Sequence, residues 1–207
     1  MKKSVIASIC LGVFIAFSVL CTLSATEEAI SSGIIRLHVR ANSNSREDQE
    51  LKLKVRDRIL AETGEMFASL DNKDKARTVA IAKLAELQRV AADEIHRQGY
   101  NYTVKVTFGK SPFPCKTYAD ICLPAGTYEA IIVDIGSGQG DNWWCVMFPP
   151  LCFTGEACSE IPVDSRDMLI ANMGSEAYTM IASSKPDIKF KLYELWQRLN
   201  DGELIRP

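Results

Sequence analysis

Residues 34–40 read IIRLHVR. Ile35, Leu37 and Val39 alternate with Arg36, His38 and Arg40, the period-two pattern of a strand with one apolar and one polar face. A half-buried strand is predicted. Directly after it, Ser45 stands three positions before Asp48 at the head of REDQELKLKVRDRIL, a capping-box spacing, and Glu47 and Asp48 suit a helix start. Leu51, Val55 and Ile59 then recur along one helical face. A second helix is predicted from about Asp71 to Gln98, with Ala80, Leu84, Leu87, Ala91 and Ile95 as its apolar stripe and Gly99 placed to end it.

Tyr102, Val104, Val106 and Phe108 alternate with Thr103, Lys105 and Thr107, a second strand. SPFPCKTYADICLPAG (111–126) is broken by three prolines and reads as a short hairpin or irregular edge. TYEAIIVDI (127–135) has an apolar centre and reads as a buried strand. GSGQGDN follows as a flexible hairpin loop, and WWCVMF (143–148) as the next strand. Beyond Pro149-Pro150, DSRDMLIANM and SEAYTMIASS predict short helices capped by Asp164 and Ser175. DIKFKLYELWQRLN (187–200) predicts a final amphipathic helix. The expected fold is α+β: an antiparallel sheet packed with helices as a core domain over 34–155, and a helical section over 156–207 packed on it.

Residues 1–25 are of another kind. Lys2 and Lys3 precede Val5–Leu23, 19 residues without a charge, and small residues at 22, 24 and 25 offer a peptidase site. A cleaved signal peptide and an uncleaved anchor through residues 4–24 both fit, with 26–33 as a linker. Either would carry the remainder out of the cytoplasm. Of 24 basic residues, 22 remain once Lys2 and Lys3 are set aside, against 26 acidic ones, so the exported part carries −4. That balance gives no reason to expect nucleic-acid binding.

Five of the seven cysteines lie beyond the leader. Cys115/Cys122 and Cys145/Cys152 share a C-x₆-C spacing. Zinc sites favour tighter knuckles, and an exported chain favours disulfides, so two bridges are expected with Cys158 left over. A Cys/His-type hydrolase acting on cell wall or peptide is the competing reading. No cysteine stands in a recognisable nucleophile setting, and no catalytic, metal or cofactor set is predicted.

The candidate contact residues are Arg36, His38 and Arg40 on the polar strand face, and the pair in DNWWCVMFPPLCF (141–153). On a strand, Trp143 and Trp144 point to opposite faces. Two covered faces would make both core residues; an exposed tryptophan would mark an interface. One tryptophan is expected to anchor the sheet while the other, with the His38 face, touches a partner.

The stretches IRLHVRANSNSREDQELKLKVRD, KTYADICLPAGTYEAIIVDIGSGQGDNWWCVMFPPLCF and IKFKLYELWQRL resemble the stage II sporulation protein R family of endospore-forming Firmicutes, across about residues 34–200. The resemblance implies a protein made in the forespore and exported into the space between the two membranes of the sporulating cell. There it would signal through the extracytoplasmic part of a membrane-embedded aspartic protease of the mother cell, which cleaves pro-sigma-E. It implies a signal, not an enzyme.

Overall fold

The computed structural model describes residues 11–14, 18, 25–152 and 160–182. Most of the predicted leader, Cys158 and the predicted helix over 187–200 lie outside the described residues. Among those described, no helix is long and apolar enough to cross a membrane. Residues 25–33 are helical and lead into β1 (Ile35–Arg40). Two long helices follow, α1 (Arg46–Ala68) and α2 (Lys73–Arg97), then β2 (Val104–Phe113) and a small hairpin of β3 (Lys116–Tyr118) and β4 (Ile121–Leu123). The chain continues through β5 (Gly126–Ile135), β6 (Asn142–Phe148) and the short helices α3 (Val163–Met173) and α4 (Ser175–Ala182).

The main sheet is ordered β2–β5–β1–β6, and it is mixed, not wholly antiparallel. β1 runs parallel to β5 and antiparallel to β6, while β2 and β5 are antiparallel. Alternation along a strand is the same in either case; β1 and β5 can lie parallel because the two long helices, β2 and the β3–β4 hairpin all intervene between them. The β2 strand lies at the sheet edge, which is why it can run through Pro112 to Phe113.

One sheet face packs on α1 and α2. Ile35, Leu37 and Val39 join Leu51, Val55, Ile59, Leu87, Ala91, Ile95, Ile131 and Val133 in one buried cluster. The predicted stripe of the second helix faces this core, and Gly99, at φ 84°, takes the left-handed turn beyond it. The other face is also covered over part of its length. Ile30, Ile34, Phe113, Ile121, Leu123, Tyr128, Ala130, Val146, Leu169 and Met173 form a second buried cluster there. The half-buried reading of IIRLHVR is therefore corrected: β1 is an inner strand with Arg36 and His38 themselves buried. The cover comes from distant chain, the β3–β4 hairpin and α3, which local periodicity does not report.

The loop after β5 is not a hairpin loop, since β1 lies between β5 and β6. It crosses the end of β1 and is pinned there. Gly140 N donates to Ala41 O at 2.8 Å, Asp141 N to Asn44 Oδ1 at 2.6 Å, and Ser137 N to Asn42 Oδ1 at 2.9 Å. Ser45 caps α1 by accepting from Asp48 N at 3.2 Å, as expected. The Asp48 carboxylate does not return to the cap; it accepts from Asn42 Nδ2 at 2.9 Å and from Ser43 Oγ. Burial pushes the Asp48 carboxyl up, but bonds from Ser43, Asn42 and Tyr102 outweigh it and hold the group below its ordinary value. ANSNSRED and GSGQGDN thus interlock as one unit. Asp164 is no cap: Pro162 holds that position without a side-chain bond, and Asp164 lies in the first turn of α3. Ser175 is the first residue of α4; Gly174 O accepts from Tyr178 N.

Candidate functional site

Strand register sorts the second face into three rows. Gly109, Ala130, Arg36 and Val146 form the first; Thr107, Ile132, His38 and Trp144 the second; Lys105, Asp134, Arg40 and Asn142 the third. Arg36, Ala130 and Val146 of the first row are fully buried under the hairpin and α3, while Gly109, on the edge strand β2, is half-buried. The third row opens outward: Lys105 is exposed, and Asp134, Arg40 and Asn142 are half-buried. In the middle row Thr107, Ile132 and Trp144 are half-buried and His38 is 7% exposed. The face is closed at one end and open at the other.

Arg36 builds the closed end. Its guanidinium stacks over Phe113 at 4.1 Å and Tyr128 at 4.9 Å from the ring centres, and Nη2 donates to Tyr118 Oη. Nε and Nη1 have no hydrogen-bond partner among the described residues. Burial lowers its pKa from the ordinary arginine value, against the opposing effect of Tyr118 and Tyr128. Arg36 is thus a positioning residue, not the surface contact expected. It holds Tyr118, whose hydroxyl donates in turn to Trp144 O at 3.1 Å.

His38 links the rows. Nε2 lies 2.7 Å from Asn142 Oδ1 and Nδ1 lies 3.1 Å from Ser111 Oγ. A neutral ring donates from Nε2 to Asn142 and accepts at Nδ1 from Ser111. The ring also stacks on Trp144 at 5.8 Å. Burial lowers the His38 pKa most; Asn142 opposes this and Arg40 adds to it. The sign follows: the unfolded chain, titrating near 6.5, takes up a proton before the folded chain does. Stability from His38 is therefore whole above about pH 6.5 and is lost as pH falls toward its folded pKa, by at most about 1.4 kcal/mol per pH unit. Thermal melts from pH 7.5 to 5 should show a falling Tm, and His38→Gln should flatten it. An unchanged slope in that variant would contradict the assignment.

The open end carries the charges. Arg40 grips Asp134 with two bonds, Nε to Oδ1 and Nη2 to Oδ2 at 2.9 Å. Lys116, from the hairpin, places Nζ 5.0 Å from the centre of the Trp144 ring. Arg40 pairs with Asp134, Lys105 is the cross-strand neighbour of Asp134 on the edge strand β2, and Lys116 stands over Trp144. Trp143 lies on the other face under Arg56, whose guanidinium is 4.0 Å from its ring centre. The two tryptophans are split between faces as the period of two requires. Of the five candidate residues, Arg36, His38, Arg40 and Trp144 share one face and Trp143 does not.

Sequence reading missed Ser111, Lys116, Tyr118, Ile132 and Asn142. Asn142 and Ile132 could have been found by extending strand parity; Tyr118 carried no local signal, because a separate hairpin brings it in. Cys145 and Cys152 form a disulfide with Cα atoms 5.4 Å apart, closing the turn after β6 as the spacing suggested. Among the described residues, no three His, Cys, Asp or Glu side chains converge to hold a metal ion.

The sequence model of the stage II sporulation protein R family matches residues 31–157, which take in every strand of the sheet and the whole open face. The chain belongs to that family. A relative of the same name, stage II sporulation protein R of Bacillus subtilis (strain 168), is 39% identical over 174 residues, with 77% of each chain covered. No solved structure matches. Membership places the chain among sporulation proteins. Within this domain, Trp144 is a partly buried aromatic on the edge strand β6, stacked on a hydrogen-bonded histidine and with one lysine over its ring.

Proposed function

We propose that this chain is an exported signalling protein of sporulation. It acts in the space between forespore and mother-cell membranes. There it binds the extracytoplasmic part of a membrane-embedded aspartic protease, which then cleaves pro-sigma-E in the mother cell. The observation that carries the reading is the half-open face, where Trp144, on the edge strand β6, sits under Lys116 beside the inner strand β1, whose Arg40 pairs with Asp134. The uncharged run Val5–Leu23 behind Lys2 and Lys3 supports export, and family membership supports the sporulation setting. Activation follows if the face binds the active state of the protease better than the inactive one. The test is reconstitution. The full chain, the protease and its pro-sigma substrate are expressed together in a non-sporulating host, and cleavage is followed on a gel. Cleavage that needs both this chain and its export is expected. Absence of cleavage with the chain shown to be outside would overturn the reading.

One observation favours an exported hydrolase instead. Ser111, His38 and Asn142 stand in hydrogen-bonded sequence, the order of nucleophile, base and orienting group. Ser111 is only 6% exposed, and an attacking hydroxyl needs an approach. His38 makes both ring bonds to these two residues and neither to a cysteine, which removes it from the Cys/His pairing. Ser111→Ala is expected to keep full activation of the protease at equal protein level, at a stability cost of about 1 kcal/mol. Lost activation in a folded variant would favour the hydrolase.

A further inference from the structure

The β3–β4 hairpin holds two cysteines that no activity accounts for. Cys115 immediately precedes β3 and Cys122 lies on β4 opposite Thr117. Their Sγ atoms are 3.1 Å apart. The hairpin pairs through only three residue pairs, Lys116–Leu123, Thr117–Cys122 and Tyr118–Ile121, and forms a sheet of its own apart from the main one. A two-stranded hairpin of that length is marginal alone. Yet it carries two groups that shape the open face: Lys116 over the Trp144 ring, and Tyr118, which bonds Trp144 O and receives Arg36. Whatever fixes the hairpin fixes the frame around Trp144.

We propose that Cys115 and Cys122 are a disulfide site, and that closing the bridge locks the hairpin so that Lys116 and Tyr118 frame Trp144 for binding. The two thiols give up two electrons and two protons to a small disulfide such as oxidised glutathione. A mixed disulfide forms first; the second thiolate then displaces glutathione, leaving one protein S–S bond and two glutathione thiols. Closing so short a loop restricts the open hairpin by a factor of roughly ten to a hundred. The control half of this proposal rests on the binding role given to the open face; the chemical half does not.

The chemical half is read by peptide mapping of the full chain. The protein is equilibrated with oxidised and reduced glutathione, blocked with N-ethylmaleimide and cut with trypsin. Cleavage after Lys110 and Lys116 isolates Cys115 in a six-residue peptide, SPFPCK (111–116). That peptide should be missing before reduction and appear after it, and Cys122→Ser should free it without reduction. Release of a maleimide-blocked peptide from the oxidised native chain would overturn the bridge. Retention in Cys122→Ser would assign Cys115 another partner and overturn it equally. For the control half, Cys115→Ser/Cys122→Ser should lower protease activation about tenfold at unchanged protein level, following the restriction lost. Full activation by the double variant would end that half and leave the bridge standing. A native chain that activates nothing would instead indict the signalling role, with the mapping result unaffected.

Discussion

Gly140→Ala is expected to destabilise the chain by about 3 kcal/mol, at the upper end of the cost of overfilling a packed site. A Cβ at 140 would overlap the Ser43 carbonyl and press on the Ala41 side chain. Both belong to the segment that Gly140 itself bonds through Ala41 O. The obstacle is backbone, so no rotamer change relieves it. The segment cannot retreat either, because Asn42 and Ser43 are held by Asp48 at the head of α1, and Lys52 Nζ donates to Asp141 O at 2.9 Å. A shift there would break several hydrogen bonds at once and unseat the end of β1. For a domain of this size the loss corresponds to a fall in Tm of roughly 6–12 °C. Gly109 is the control. It lies on β2, where a Cβ would meet nothing within 4 Å, so Gly109→Ala should change Tm little. Thermal melts of the two variants side by side decide the matter; equal shifts would mean that the interlock is not rigid.

Trp144→Ala and Trp143→Ala should fail in different ways. Trp144 lies in the middle row of the second face, packed in part on the second buried cluster and stacked on His38, so its removal takes away an aromatic contact of the half-open face along with some packing. A contact of that kind is worth about 2 kcal/mol or more, a loss of affinity of roughly thirtyfold, and protease activation should drop accordingly at normal protein level. Trp143 packs on the helical core beneath Arg56. Its loss leaves a cavity on the α1 side and should cost about 3 kcal/mol, seen as lower protein level and a lower Tm. Immunoblots for protein level, run beside the cleavage gel, separate the two. If both variants lose folding equally, or Trp144→Ala signals as well as the native chain, the open face is not the contact surface.

Much of this was readable from local pattern. The strands and helices follow from periods of two and 3.6, and the helix ends from Ser45 and Gly99. The opposite orientation of Trp143 and Trp144 needs no more than the pleat of a strand. The Cys145–Cys152 bridge was legible from two cysteines flanking a Pro-Pro turn. Each of these depends on residues within a few positions of one another. What IIRLHVR would touch was not legible. Its polar side was expected in solvent, yet Arg36 ended among Phe113, Tyr118 and Tyr128, and His38 between Ser111 and Asn142, all supplied from more than seventy positions away. The parallel pairing with β5 and the loop crossing over β1 have the same origin. Chain sequence alone determined which side chains share a face of each element. Only the tertiary structure decided which part of that face is covered, because cover is set by the layer a distant segment forms, and an alternating pattern reads the same with that layer present or absent.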